Sequence, residues 1–337
     1  MKAIQNIGRL LLIIFLLVNC ANSKKSNKDQ ENQNEKLEES QGVDPLNAQN
    51  FVRCSTMEVL EKHMIKTPDL KSRMESVENH CRAFIAQQKE NRVVEQLADS
   101  ISIPVIIHVI YNTELENISD AQIQSQIEVL NEDFNKNNED VVEVPDEFKP
   151  IIADINISFS IDSIIRKPST RAEWGTNDQM KFSSSGGSDV ITPDTHLNMW
   201  ICTIGGGILG YAQFPGDSKS TDGIVITPQF FGTKGSVVAP FDKGRTTTHE
   251  VGHWLNLRHI WGDGNCDLDD FVADTPLSDA PNYGCPQYPS IRCGSNDNTM
   301  NYMDYTDDAC MHMFTEGQKE RMVAVFATGG PRESFIK

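Results

Sequence analysis

Residues 249–259 read HEVGHWLNLRH, and this stretch decides both the fold class and the chemistry that the chain can support. Side chains four residues apart lie on one face of an α-helix, so His249 and His253 can present two imidazoles to one metal ion. Glu250 lies about 100° around the helix from His249. It can therefore flank the metal without binding it, which is where the general base of a hydrolase belongs.

The third histidine of the stretch requires the helix to end. A straight helix would carry His259 away from a metal held by His249 and His253, so the chain must turn between them. Asn256 lies at the expected break, and after glycine asparagine best tolerates the left-handed conformation of a helix C-terminus. Three imidazole ligands favour zinc over calcium or magnesium, and they favour a catalytic site with an open position.

The composition limits the partners of the chain. It has 337 residues, enough for one catalytic domain with processing segments, and Asp and Glu outnumber Lys and Arg by 48 to 30. The net charge of −18 argues against nucleic acid, because phosphate groups would be repelled. The acidity favours solubility, and it also suits calcium binding.

The first twenty residues have the pattern of an export signal. Lys2 and Arg9 form a positive region, and the apolar run 10–18 is too short for a comfortable transmembrane helix. Residues 17–20 read LVNC and resemble a bacterial lipobox, in which Cys20 would be lipidated and anchor the protein to the membrane. An ordinary signal peptide cut nearby is the alternative. Both predict export, to the bacterial cell envelope or the extracellular space.

The remaining chain divides by composition. Residues 21–50 are polar and predict a disordered tether. Residues 51–100 are helical in pattern and predict a pro-segment, and the catalytic domain is expected over 101–337. Its predicted elements are strands at 103–111, 155–161, 197–202 and 223–226, a helix capped by Asp120, and loops after His259.

The pattern H-E-x-x-H-x-x-G-x-x-H marks the metzincin clan of zinc metallopeptidases, and residues 249–259 match it except at Asn256. Residues 298–305, NTMNYMDY, resemble the Met-turn of the pappalysin-like (cytophagalysin) metallopeptidases, and 209–215, 274–276 and 283–286 also resemble segments of that family. The resemblance covers roughly residues 51–335. It implies an α/β fold with a twisted mixed sheet, an active-site helix and a loop-rich C-terminal subdomain.

The same resemblance implies a zinc endopeptidase made as a zymogen and acting on proteins or peptides. Glu250 would deprotonate a zinc-bound water, Met303 would form the floor below the metal, and Tyr305 would stabilise the oxyanion. An ordinary packed aromatic is the alternative for Tyr305.

A cysteine upstream of the first predicted strand is a candidate for zymogen latency. Residues 53–56, RCST, resemble the pro-segment motif of the family, and a Cys54 thiolate would bind the zinc in the latent form. A disulfide between Cys54 and Cys81 is the competing prediction.

The resemblance also implies disulfides, a second metal and a substrate preference. The implied pairings are Cys266–Cys293 and Cys285–Cys310. Calcium would bind the side chains of Asp267, Asp270 and Asp274 and the carbonyl of Thr275, with a solvated acidic loop as the alternative.

Relatives that cleave before arginine carry an aspartate just before the last cysteine of the Met-turn segment. Ala309 occupies that position here and predicts a weaker preference for arginine after the scissile bond. Asp307 and Asp308 lie next to it, and their orientation stays open.

Two other functions compete with an endopeptidase. One is an exported binding lipoprotein with structural zinc, and the other is a zinc hydrolase that acts on something other than peptides. Glu250 argues against the first, because a structural site needs no base and usually has four protein ligands.

Overall fold

The computed structural model describes residues 51–91 and 100–336. The predicted signal peptide, the lipidation of Cys20 and the tether over 21–50 lie outside the described residues. Within the described ranges, no helix combines the length and the apolar composition that a membrane crossing needs.

Two helices form the N-terminal segment, by which we mean residues 51–91. Helix α1 spans Thr56–Lys66 and helix α2 spans Leu70–Asn91, so the helical pattern predicted here is confirmed. Helix α1 packs on one edge of the sheet, and α2 packs on the C-terminal helix. The buried side of α1 carries Val59 and Leu60.

A five-stranded mixed sheet forms the centre of the fold. Its strands are β1 Ile101–Tyr111, β2 Ile157–Pro168, β3 Leu197–Ile201, β4 Gly210–Ala212 and β5 Ile224–Ile226, in the order β2-β1-β3-β5-β4. All pairs are parallel except β4 with β5. The four predicted strands and the mixed α/β class are confirmed, although β2 extends to Pro168. Strand β4, which was not predicted, forms the antiparallel edge.

Helix α3, Asp120–Phe134, covers one face of the sheet with Ile123, Ile127 and Leu130 in the main core. The prediction that Asp120 caps this helix is wrong. The N-cap is Ser119, whose hydroxyl oxygen accepts a hydrogen bond from the Gln122 amide at 3.2 Å. Asp120 is the first helical residue, and there the positive end of the helix dipole stabilises its negative carboxylate.

The C-terminal part contains more regular structure than its sequence pattern predicts. After helix α4, Arg245–Trp254, come a short hairpin of β6 Ile291–Arg292 and β7 Ser295–Asn296, and then helix α5, Glu316–Ala324. Two disulfides, Cys266–Cys293 and Cys285–Cys310, cross-link the loops, in the pairing that the family resemblance implies.

His63 of helix α1 forms ion pairs with two carboxylates in the loops between strands of the sheet. Its Nε2 lies 2.8 Å from Asp178 Oδ2, and its Nδ1 lies 2.6 Å from Asp217 Oδ2. Asp178 is shared with Lys181 Nζ, 2.9 Å away, and accepts a hydrogen bond from the Tyr211 hydroxyl at 3.0 Å. The hydrogen bond to Asp178, followed by that to Asp217, raises the pKa of His63 to about 9. His63 is therefore charged at neutral pH.

Replacing His63 with glutamine should destabilise the full chain at neutral pH and not at alkaline pH. The folded-state pKa is raised, so the stabilisation is complete below the pKa of a free histidine, near 6.5, and disappears as the pH rises through about 9. We expect His63→Gln to lower the thermal midpoint at pH 7 by about 2–4 °C, and the difference to vanish above pH 9. The exposed Lys66→Gln variant on the same helix is the control. A difference that is independent of pH would contradict the ion-pair explanation.

Candidate metal centre

The turn after α4 brings the third histidine back to the first two. Helix α4 ends at Trp254, and Asn256 has the predicted left-handed conformation, with φ 74°. The Nε2 atom of His253 lies 3.1 Å from Nε2 of His249 and 3.1 Å from Nε2 of His259. The three imidazoles that the sequence places in one motif therefore converge on one point.

Hydrogen bonds at the opposite ring nitrogens determine which form of each imidazole is present. His249 Nδ1 lies 2.7 Å from the carbonyl oxygen of Tyr302, and His253 Nδ1 lies 2.8 Å from that of Leu257. A carbonyl can only accept, so both Nδ1 atoms carry protons and donate. His259 Nδ1 lies 2.5 Å from a carboxylate oxygen of Asp263.

The three Nε2 atoms consequently present lone pairs to one another. Such an arrangement is repulsive unless a cation lies between the nitrogens, and zinc is the divalent ion that suits three imidazoles best. Burial, followed by the neighbouring His259, holds the pKa of His249 and of His253 well below its ordinary value. Both rings are thus neutral, as metal binding requires. The residues present fit a zinc ion.

The thiol of Cys54 completes the cluster. Its Sγ and a ring nitrogen of each of the three histidines all lie within 4.8 Å of one another, and all four residues are buried. Within residues 51–91 and 100–336, this is the only group of three or more His, Cys, Asp or Glu residues whose ligand atoms converge in this way. Cys54 and Cys81 are both free thiols, so the competing prediction of a disulfide between them is wrong.

Glu250 lies beside the cluster and is completely buried. Its Oε2 accepts a hydrogen bond from the Thr56 hydroxyl at 2.8 Å and lies 3.5 Å from Cys54 Sγ, while Oε1 has no hydrogen-bond partner. Burial raises the pKa of Glu250 to about 8. Burial thus favours the neutral carboxyl group in this arrangement, and Oε1 is the oxygen left for a further ligand or water.

The N-terminal segment also covers the edge of the sheet next to the cluster. Val52 forms an isolated parallel bridge with Ile208. The Ser55 amide donates to the carbonyl of Gly210 at 3.1 Å, and the Ala212 amide donates to the Thr56 hydroxyl at 2.8 Å. Thr56 thus bridges the edge strand and Glu250. The sequence pattern gives no signal for this contact, because it joins residues far apart in the chain.

Met303 packs against helix α4 at Gly252, and Tyr305 lies beside the histidines. Met303 is completely buried, and a Cβ added to Gly252 would lie only 2.4 Å from its sulfur. The Tyr305 ring centre lies 4.9 Å from that of His259, and its hydroxyl donates to the Cys54 carbonyl at 3.4 Å. Burial raises the pKa of Tyr305 well above its ordinary value, so the hydroxyl keeps its proton.

A pocket beside the histidines holds the side chain of Arg53. The guanidinium lies 3.9 Å above the Phe241 ring, donates to the Thr306 carbonyl at 2.6 Å and lies 3.8 Å from Asp308 Oδ1. Asp308 is completely buried, whereas Ala309 is exposed. The buried carboxylate beside Arg53 thus lies one residue before the position from which the substrate preference was predicted, and that preference stays a prediction.

Asp308 also fixes the start of α4. Its Oδ2 accepts hydrogen bonds from the amides of Lys243 and Arg245, at 3.0 and 3.2 Å, while Oδ1 makes no hydrogen bond. The Arg245 guanidinium donates to the Tyr302 hydroxyl at 2.7 Å and links α4 to the Met-turn.

The residues proposed for calcium do not share one point in the structure. Asp270 is buried, and both of its carboxylate oxygens lie 2.9 Å from the Thr275 hydroxyl, which donates one hydrogen bond to them. Asp274 instead accepts from the Thr315 hydroxyl at 2.7 Å and the Gly317 amide at 2.8 Å, at the start of α5. Asp267 is exposed. Calcium binding stays a prediction.

Comparisons with known proteins agree with the site. The Peptidase_M43 family model, described as Pregnancy-associated plasma protein-A, matches residues 194–327, which include the three histidines and Met303. Extracellular metalloprotease 1 of Coccidioides posadasii is 32% identical over 252 residues, which cover 72% of this chain and 83% of the relative. An extracellular metalloprotease of Arthroderma benhamiae is 32% identical over 239 residues, covering 67% of this chain and 72% of the relative.

Solved structures from Tannerella forsythia are more similar in sequence. Mature mirolysin in complex with a cleaved peptide is 44% identical and has a TM-score of 0.69; the match covers 71% of this chain and 96% of that chain. A mutant promirolysin is 40% identical and has a TM-score of 0.75; its match covers 84% of this chain and 96% of that chain.

Replacing Gly252 with alanine should destabilise the protein by about 1–3 kcal/mol, the usual cost of overpacking a core. The added methyl group would displace Met303, whose sulfur has no free space on that side. Thermal unfolding measures the effect. Gly175→Ala is the control, because a Cβ there meets its nearest neighbour at 3.7 Å. Equal midpoints for the two variants would show that Met303 is not packed as described.

Proposed function

The chain belongs to the pappalysin-like Peptidase_M43 family of metallopeptidases, and from this premise we propose that it is made as a latent zinc endopeptidase whose metal is held by His249, His253 and His259. One observation carries the proposal: three imidazole lone pairs converge beside a buried glutamate. Membership of a peptidase family also removes the alternative of a binding lipoprotein with structural zinc.

Zinc bound at this point would act as a Lewis acid that polarises the scissile carbonyl and lowers the pKa of an attacking water. Glu250 is the proposed general base. Its oxygen Oε1 has no hydrogen-bond partner, and Glu250 lies on the helix between the two ligands His249 and His253. It accepts a proton from the attacking water and returns it to the leaving amine.

Tyr305 is the proposed donor to the oxyanion that forms during attack. Its hydroxyl now donates to a backbone carbonyl, that of Cys54, and its high pKa keeps the proton on the oxygen. A substrate carbonyl that replaces the one at residue 54 would receive the same hydrogen bond, and this bond strengthens as negative charge develops.

We propose that residues 51–100 are the pro-segment, of which the structure describes 51–91 and Ser100. Cys54 occupies the metal cluster, Thr56 holds the base, and Arg53 fills the adjacent pocket. The match to promirolysin covers 84% of the chain and that to mature mirolysin covers 71%, which agrees with removal of a segment on maturation.

Export is part of the proposal. The relatives from Coccidioides posadasii and Arthroderma benhamiae are named extracellular metalloproteases. The apolar run at 10–18 supports export of this chain as well, and a lipid on Cys20 would anchor it to the membrane.

The contacts of Arg53 support a pocket that accepts basic side chains of the substrate. The aromatic face of Phe241, the Thr306 carbonyl and the Asp308 carboxylate together recognise a guanidinium. An apolar side chain would leave the buried Asp308 carboxylate without the cation that now lies 3.8 Å from its Oδ1, which is unfavourable. We therefore replace the weak arginine preference predicted from Ala309 with a preference for arginine.

Glu250→Gln should abolish turnover of a peptide substrate by the processed enzyme, by at least about a hundredfold, because an amide cannot accept the proton. Metal content, measured by mass spectrometry under native conditions, should not change, since the histidines remain. Substantial residual turnover would exclude Glu250 as the base. If Glu250→Gln loses the metal, Glu250→Asp provides the test instead, because it keeps a carboxylate but displaces it from its present position.

Cys54→Ala should make the unprocessed chain active, because the position beside the three histidines then opens. We expect measurable hydrolysis of a fluorogenic peptide by the intact chain, with gel electrophoresis to exclude processing. Cys81→Ala is the matched control, since Cys81 is another buried free thiol of the N-terminal segment. Activity in both variants would indicate general loosening of the segment rather than loss of a ligand.

Asp308→Asn should lower kcat/KM for peptides with arginine after the scissile bond by about 10–100-fold, since the charge-assisted contact is lost while an oxygen remains to accept from the amides of Lys243 and Arg245. Peptides with leucine at that position should be affected little. Asp307→Asn serves as the control. A wild-type cleavage profile dominated by apolar residues would contradict this pocket assignment.

A further inference from the structure

One of the three histidines differs from the others in what its second nitrogen contacts. His249 and His253 donate to neutral backbone carbonyls, whereas His259 Nδ1 lies 2.5 Å from Oδ1 of the Asp263 carboxylate. A carboxylate binds an imidazole proton more strongly than a carbonyl does, and it makes the other ring nitrogen a better electron donor.

The conformation of Asp263 is unfavourable for stability alone. Its backbone is left-handed, with φ 59°, and its second oxygen, Oδ2, is buried without a hydrogen-bond partner. Among the described residues, His259 is the only hydrogen-bond partner recorded for this carboxylate. Strained backbone and unsatisfied buried polar atoms persist mainly where function requires them.

The plane of the His259 ring is fixed by a second contact. Trp261 stacks on it, with ring centres 4.3 Å apart and an angle of 6° between the planes. Stacking resists tilting of the imidazole but leaves it free to rotate within its own plane. The hydrogen bond to Asp263 removes that freedom, because it fixes the direction of the Nδ1–H bond and therefore of Nε2.

We propose that Asp263 is a positioning residue for the metal centre: it holds His259 as the Nδ1–H tautomer with its Nε2 lone pair directed at the point shared with His249 and His253. This inference rests on the proposed role of His259 as a metal ligand. Asp263 touches neither substrate nor metal in this arrangement and acts only through the imidazole.

Three variants of the full chain test the proposal. Asp263→Gly removes the carboxylate and suits the left-handed backbone, so it avoids the strain that alanine would add. Asp263→Asn keeps an oxygen that can accept the Nδ1–H bond. Asp269→Asn is the matched control, since Asp269 lies in the same loop, is exposed and accepts from the Phe271 amide.

The first measurement is the zinc dissociation constant, obtained by competition with a chelator of known affinity. We expect Asp263→Gly to weaken zinc binding about 10–100-fold, the usual effect of removing a partner of a metal-bound histidine. Asp263→Asn should lose less affinity than Asp263→Gly, and Asp269→Asn should bind zinc like the wild type. Wild-type affinity in Asp263→Gly, or equal losses in Asp263→Gly and Asp263→Asn, would overturn the proposal.

The second measurement separates positioning from general loss of structure. In the cobalt-substituted chain, each metal-bound imidazole gives its own paramagnetically shifted Nδ1–H signal in the proton NMR spectrum. We expect three signals in the wild type and selectively faster solvent exchange of the His259 proton in Asp263→Asn, because a neutral amide accepts more weakly than a carboxylate. Unchanged exchange of all three protons would overturn the role of Asp263. Absence of all three signals in the wild type would instead overturn the proposed metal ligands.

Discussion

The constraint on which the rest of the structure depends is that three imidazoles must direct their Nε2 atoms at one point. Each ring can do so only if its outer nitrogen has an acceptor, and the three acceptors come from three different places: the Met-turn, the turn after α4 and the loop beyond His259. The left-handed Asn256 lets the chain turn after α4 so that His259 returns to His249 and His253, and the Arg245–Tyr302 hydrogen bond keeps the Met-turn against the helix. Burial then keeps the rings of His249 and His253 uncharged and ready for a metal.

Local pattern was sufficient for the elements that carry this constraint. The spacing of His249 and His253, the need for a turn at Asn256 and the apolar strands around Ile107 follow from periodicity alone. The missed helix α5 also has a local signal, since Thr315 and Gln318 form a capping box that the sequence displays as TEGQ. The cap of α3 was predicted one residue too late because Ser119 and Asp120 are adjacent and both residue types are good N-caps.

Contacts between distant parts of the chain could not be predicted in this way. The hydrogen bond from Thr56 to Glu250 and the insertion of Arg53 beside Asp308 depend on tertiary packing that brings the N-terminal segment to the histidine cluster. The family resemblance directed attention to position 309, yet the buried carboxylate is at 308, because the orientation of side chains on an irregular segment is not fixed by alternation. The motif at residues 249–259 was sufficient to identify the metal ligands, whereas the shape of the pocket beside them depends on tertiary packing.

The pairing of residues 52–55 with the sheet has a consequence for the protein after processing. Strand β4 is the last strand of its sheet, and the N-terminal segment supplies hydrogen-bond partners along it and the residues just before it. The proposed removal of that segment would leave these amides and carbonyls without their present partners, next to the histidine cluster. An exposed edge of this kind is a template for any extended chain. The groups that would bind the backbone of an extended substrate could then also pair with a second copy of the processed chain, and residues 52–55 would protect this edge for as long as they cover it.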